Sequence, residues 1–242
     1  MKKRIIVGLI AASLVFTACS GKKKLVQHSL EKGISFNLNE IGVVNDNRIQ
    51  FYSLTIFGNW VELTEAAFAL PQNCTDVIGD GSGGLIAIVG DHVKYYYYND
   101  AGKIWEESPG REFKLPKKYQ GILDFNGSLG VIINNKVKFF WYNSDAWEEN
   151  KKMEFAVPKN AKGLFGYYQS LGLIVDNELQ FHYYNQEKES WEESIDARCI
   201  LPEDYTDVFT YNYEWLGISS IDKISFYYRF ENGWGTIDEF AK

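Results

Sequence analysis

The sequence predicts an all-β fold, a five-bladed β-propeller with one four-stranded antiparallel blade per repeat, and three observations point there. A unit of 40 to 45 residues is written five times between positions 31 and 242 of this 242-residue chain. A tryptophan recurs in one register, at Trp60, Trp105, Trp147, Trp191 and Trp234, and the first four copies end on Pro71, Pro116, Pro158 and Pro202. Within a copy, β-branched and aromatic runs alternate with turn residues; the third copy reads GILDFN, LGVIINN, KVKFFWYN and WEENKKMEFAVP. Four strands per unit follow.

The blades are expected at 31–71, 72–116, 117–158, 159–202 and 203–242. Their third runs begin at Ile49, Val93, Val137, Leu179 and Ile224 and are the most aromatic. Alternation puts Val137, Phe139 and Trp141 on one face, with Phe140 and Tyr142 beside Lys138 on the other. Both faces are substantially apolar, so both must be covered. One small sheet cannot do this, but copies stacked face to face can. The first and last copies keep the apolar pattern of the middle ones, which suits a closed ring rather than a row with polar end caps. Because each copy starts with a first strand and ends with a fourth, closure is expected from packing between blades one and five, without a strand exchanged between them. Two β-sandwich domains are the alternative, but they predict no fivefold register. Before each third run stand two turn residues: Asp46-Asn47, Gly90-Asp91, Asn134-Asn135, Asp176-Asn177 and Ile221-Asp222. Asn or Asp in the second place predicts tight hairpins with positive φ.

The order of aromatic strand, Gly-containing hairpin, Asn/Asp turn, second aromatic strand and Asn-rich loop before Trp resembles the tachylectin-type five-bladed lectins. DFNGSLGVIINNKVKFF and NSDAW carry the resemblance, with FGNW and ENGW in the first and last copies. It covers the whole repeat region and implies a ring of five blades with a lectin-like role. It is carried by pattern and repeat length, so it assigns no ligand residues.

Residues 1–18 have a different purpose. Lys2, Lys3 and Arg4 precede an uncharged, largely apolar run from Ile5 to Ala18, the pattern of a secretory signal peptide. At 14 residues the run is shorter than the ~20 that a membrane-spanning helix needs. It stops at Phe16-Thr17-Ala18-Cys19, which resembles the lipobox of bacterial lipoproteins, where the cysteine becomes the acylated first residue. That resemblance makes Cys19 the lipidation site and 19–30 a tether. It places the protein in the bacterial cell envelope, lipid-anchored; Ser20 after the cysteine points to the outer membrane where the cell has one. Lys22, Lys23 and Lys24 follow, either as a solvated spacer or as partners for anionic headgroups.

Six of the 25 basic side chains lie in the first 24 residues with no acid among them, which leaves 19 basic against 32 acidic beyond, a net charge of −13. Such a body repels polyanions, so no nucleic-acid partner is expected. Cys74 and Cys199 fall in non-neighbouring copies, too far apart for a disulfide, and are expected as free thiols. The histidines His28, His92 and His182 show no metal-ligand spacing, so neither a metal site nor a cofactor is expected.

The recurrent tryptophans suit sugar stacking, but sealing one blade against the next explains their register as well. The pairs Glu106-Glu107, Glu148-Glu149 and Glu192-Glu193 cannot act as dyads, because neighbouring strand residues point to opposite faces. The glycine-rich GDGSGG from Gly79 lies between strands and reads as an enlarged hairpin rather than a phosphate cradle. Asp80 and Asp124, near the ends of first strands, are the acids most suited to a propeller axis. No catalytic residue is assigned. The sequence therefore predicts an anchored extracytoplasmic binding or scaffold protein with a protein partner. A glycan-binding module is the alternative, and a propeller glycoside hydrolase a remote one. Function is expected in the loops before the tryptophans (TIFGN, NDAGKI, NSDA, NQEKES, FENG) or in the axial funnel.

Overall fold

The computed structural model describes residues 33–35, 39–45, 47–80, 82–211, 215–230 and 233–241. The leader, Cys19, His28 and the lysines at 22–24 lie outside them. Among the described residues, no helix is long and apolar enough to cross a membrane.

Five separate antiparallel sheets form, each from one contiguous stretch of chain, and the fold is a five-bladed β-propeller. The inner strands are Gly33–Ser35, Cys74–Gly79, Tyr119–Phe125, Ala161–Tyr167 and Asp207–Tyr211. The second strands are Glu40–Asn45, Gly84–Val89, Ser128–Ile133, Ser170–Val175 and Trp215–Ser219; the third are Arg48–Leu54, His92–Asn99, Lys136–Tyr142, Glu178–Asn185 and Lys223–Phe230. The outer strand is continuous in blades three and five, as Trp147–Ala156 and Gly233–Ala241. In blades one, two and four a single 3-10 turn (Thr64–Ala66, Pro109–Arg111, Ile195–Ala197) splits it into two short pieces, both paired with the third strand. Each inner strand lies against the inner strand of the next blade, including the fifth against the first. Among the described residues no strand crosses between blades, so closure there is by packing, as the repeat order predicts.

Two-residue hairpins join second and third strands, but positive φ falls mainly on their first residue: Gly90, Asn134 and Asp176. Only Asn135 adds a second, giving that turn both positive angles. The expected second-place rule therefore holds for blade three and not for the others. An Asn or Asp side chain next to a tight turn does not by itself require left-handed backbone.

The apolar faces form five cores, each shared by two adjacent blades. At every seam a tryptophan lies nearly parallel to the third-strand aromatic of the preceding blade. Trp105 stacks on Phe51, Trp147 on Tyr95, Trp191 on Phe139 and Trp234 on Phe181, with ring centroids 5.4 to 5.7 Å apart. Trp60 closes the ring on Phe226 at 5.3 Å. Four of the five indole N–H groups also donate to one repeat position in the preceding blade: Ala66 O at 2.7 Å, Arg111 O at 3.2 Å, Met153 O at 3.0 Å and Ala197 O at 2.9 Å. In those blades the acceptor sits in a turn or a bulge, outside the regular ladder. The equivalent residue of blade five, Asp238, stays in the ladder opposite Phe226, and the buried Trp60 Nε1 has no acceptor. Blade packing thus accounts for the fivefold tryptophan register.

Removing a seal exposes apolar surface and leaves a cavity, so Trp147→Ala should lower stability by about 3 to 5 kcal/mol in urea unfolding. Trp60→Phe should cost about 1 kcal/mol less than Trp147→Phe, because only the latter also breaks a hydrogen bond. Equal costs would show that the fifth seam is not different in this way.

Candidate functional site

Where the five inner strands converge they enclose an axial cavity of about 390 Å³. Antiparallel order puts the hairpins after the inner strands on the same face as the loops before the tryptophans. Gly166 explains how closely the strands can meet: a Cβ there would overlap the carbonyl oxygen of Asp124 in the neighbouring blade. The hydroxyl of Thr210, one blade further on, donates to Gly166 O.

Asp80 and Asp124, from blades two and three, both line this cavity, as their positions at strand ends predict. The GDGSGG segment is a hairpin folded around Asp80. Its Oδ1 accepts from Ser82 N at 2.8 Å, Ser82 Oγ at 2.9 Å and Gly84 N at 2.8 Å, and among the described residues no hydrogen bond falls on Oδ2. Asp124 is poorer in partners: one hydrogen bond from the Gly127 backbone reaches its carboxyl. Burial, reinforced by the nearby Asp80 carboxylate, pushes Asp124 up to about 8, against the lowering effects of Gly127 and Arg111.

Arg111 was not singled out in the sequence, yet it lines the same cavity. Its guanidinium lies over the ring of Tyr95, 4.4 Å from the centroid, and its buried Nε has no acceptor. Burial drives the Tyr95 phenol upward, so it stays neutral beside the cation. The repeat held one sign of Arg111: its place is taken by Ala66 in blade one and Ala197 in blade four, each 5% exposed. A charged side chain where two other copies bury alanine is the departure to look for.

The glutamate pairs divide as strand alternation requires. Glu107, Glu149 and Glu193 pair with Lys94, Lys138 and Arg198 on one face. On the other face Glu106 accepts from Tyr97 Oη at 2.5 Å and Asn99 Nδ2 at 2.6 Å, bonds that hold its carboxyl below the usual range. Blades three and four repeat this grouping, with Trp141 and Asn143 around Glu148 and Tyr183 and Asn185 around Glu192. The three aromatic rings are 46%, 48% and 40% exposed. Blades one and five carry Ser53 with Val61 and Tyr228 with Gly235 at these positions. The sequence reading took both faces of the third strand to be covered, but these rings stand near the rim, past the reach of the next blade.

His182 packs 5.3 Å from Phe155, and burial lowers its affinity for a proton; His92 sits at a strand start beside Asp91 at 2.7 Å. Cys74 is half-buried and its thiol donates to Asp76 O at 3.3 Å, whereas Cys199 is a buried free thiol. Among the described residues, no three His, Cys, Asp or Glu side chains are grouped to hold a metal ion.

No protein-family model matches this chain, and no curated protein matches it. Among solved structures it is similar to a Lactobacillus plantarum protein at 11% identity and TM-score 0.42, over 89% of this chain and 73% of that one. A functionally unknown Desulfotomaculum acetoxidans protein is similar at 10% identity and TM-score 0.41, over 91% and 75%. A Bacteroides uniformis protein named as a candidate 6-phosphogluconolactonase is similar at 14% identity and TM-score 0.42, over 84% and 68%. Likeness at this level assigns no activity. Fold and cavity together define the class of the protein: a five-bladed propeller with a charged axial site.

Because Asp124 binds its proton more tightly folded than unfolded, it contributes stability that is complete near pH 4 and lost as pH rises toward 8. Asp124→Asn should remove that loss. Across this window the wild type should fall relative to the variant by up to about 1.4 kcal/mol per pH unit in urea unfolding. Parallel profiles would refute the shift.

Proposed function

We propose that this chain is a non-enzymatic binding platform, anchored to a membrane of the bacterial envelope through an acylated Cys19, that engages a protein partner with its variable rim loops. The observation that carries the reading is their asymmetry. On blade one, Ile56 and Phe57 stand 94% and 84% exposed at the tip of the hairpin before Trp60. The corresponding loops of blades three and four are polar, with Asn143-Ser144-Asp145 and Gln186-Glu187-Lys188-Glu189. The corresponding loops of the two flanking blades, two and five, add Ile104 and Phe230 at 54% and 52%; large exposed apolar side chains on adjacent blades mark an interaction surface, and a protein partner has no fivefold symmetry to match. The shared tryptophans, by contrast, are taken up in the seams.

One observation favours the alternative of glycan binding: the exposed aromatic, carboxylate and amide repeated at Tyr97, Trp141 and Tyr183. An exposed ring beside hydrogen-bonding groups suits a sugar, and three weak sites would gain from avidity.

Affinity capture from solubilised envelope should retain a partner that an Ile56→Asp, Phe57→Asp double variant of unchanged melting temperature loses. Cys19→Ala should move the protein from the membrane to the soluble fraction. Partner retention by the double variant would reject the rim-loop reading. Saturable binding on a glycan array that Trp141→Ala abolishes would establish the alternative.

A further inference from the structure

We propose that the axial cavity binds a small zwitterion of the α-amino-acid class, its carboxylate taken by Arg111 and its ammonium group by Asp80 and Asp124. This goes beyond the rim-loop reading and does not depend on it.

The inference starts from groups of both signs left incomplete in one enclosure. The Arg111 guanidinium has the face of Tyr95 beneath it but no ion pair, and its Nε is buried without an acceptor. A buried donor in this state is unfavourable, and an incoming carboxylate would relieve it. A planar guanidinium can hold that carboxylate through two parallel bonds. Among the described residues the hydrogen bonds to Asp80 all fall on Oδ1, and the Gly127 backbone N–H is the one donor near the Asp124 carboxyl. Arg111 acts on Asp124 across space without closing an ion pair with it, so the two do not neutralise each other directly. An ammonium group between the two aspartates would meet the Asp80 carboxylate from blade two and displace the proton that burial keeps on Asp124 in blade three, so acceptors from both blades would hold it.

The remaining wall selects what joins the two charges. Ile34, Val77, Ile122, Phe165 and Phe209, drawn from all five blades, line the cavity with apolar surface. At about 390 Å³ the space lies at the small end for ligand pockets. A free anion or a free cation would satisfy one sign and leave the other uncompensated. A compact molecule with an ammonium group and a carboxylate on one carbon, together with an aliphatic or aromatic side chain, satisfies all three features of the wall.

The test is calorimetric titration of the full chain in detergent with L-leucine, 3-methylbutylamine and 4-methylpentanoate, the last two lacking the carboxylate and the ammonium group respectively. L-leucine should bind at one site, at least tenfold tighter than either analogue. Arg111→Gln should weaken L-leucine at least tenfold and leave the amine unchanged. Asp124→Asn should weaken L-leucine and the amine but not 4-methylpentanoate. Should a variant fail to fold, the ranking of the three ligands on the unvaried protein still decides. Absence of saturable L-leucine binding at millimolar concentration, or an analogue that binds as well as L-leucine, would overturn the proposal.

Discussion

Everything in this molecule rests on a flat contact between two rings, the tryptophan of one blade laid on the third-strand aromatic of the blade before it. A four-stranded sheet with two apolar faces cannot be stable alone in water, because neither face has a partner within its own repeat. The seam supplies that partner. Stacking 5.3 to 5.7 Å between centroids recurs at all five seams, from Trp105 on Phe51 around to Trp60 on Phe226, so the same contact that joins neighbours also closes the ring. With no strand exchanged between blades one and five among the described residues, closure depends on packing, and the closing seam is the one whose indole N–H goes unmatched.

The seam also explains how a repeat can carry an asymmetric site. The position that receives the indole hydrogen bond does so through its backbone carbonyl, which every residue possesses. Its side chain is therefore free to vary, and it does: Ala66, Arg111, Met153, Ala197 and, in the blade where the bond is missing, Asp238. In blade two that freedom delivers a guanidinium to the axis, opposite Asp80 and Asp124. A structural rule met by the main chain leaves side chains available for chemistry. The glutamate pairs show the same economy, one member tied to a cation and its neighbour turned toward an aromatic at the rim.

Much of this was legible in one dimension, and what was missed had a common cause. Strand number, blade order, the sealing tryptophans, the hairpin character of GDGSGG and the axial placement of Asp80 and Asp124 follow from period and alternation, which are local properties. Arg111 was missed because nothing near it in sequence marks it; it becomes conspicuous only when aligned with Ala66 and Ala197. The exposure of Tyr97, Trp141 and Tyr183 is not legible in alternation, which tells which face a residue occupies and not how far along the strand the neighbouring blade reaches. The turn residues were identified, but their φ values depend on how each hairpin meets its two strands.

The sequence by itself determined the architecture: five copies, four strands each, a tryptophan to seal each blade, and an acidic body following a basic, apolar stretch at residues 1–18. Those conclusions need only residue type and spacing, since periodic burial is a property of the chain. Only the tertiary structure decided which side chains share the axis. A ring brings together Asp80, Arg111, Asp124 and the apolar inner wall from all five repeats, and such contacts between distant segments leave no periodic trace. The fivefold regularity belongs to packing, and the candidate chemistry lies where the copies differ and geometry collects the differences.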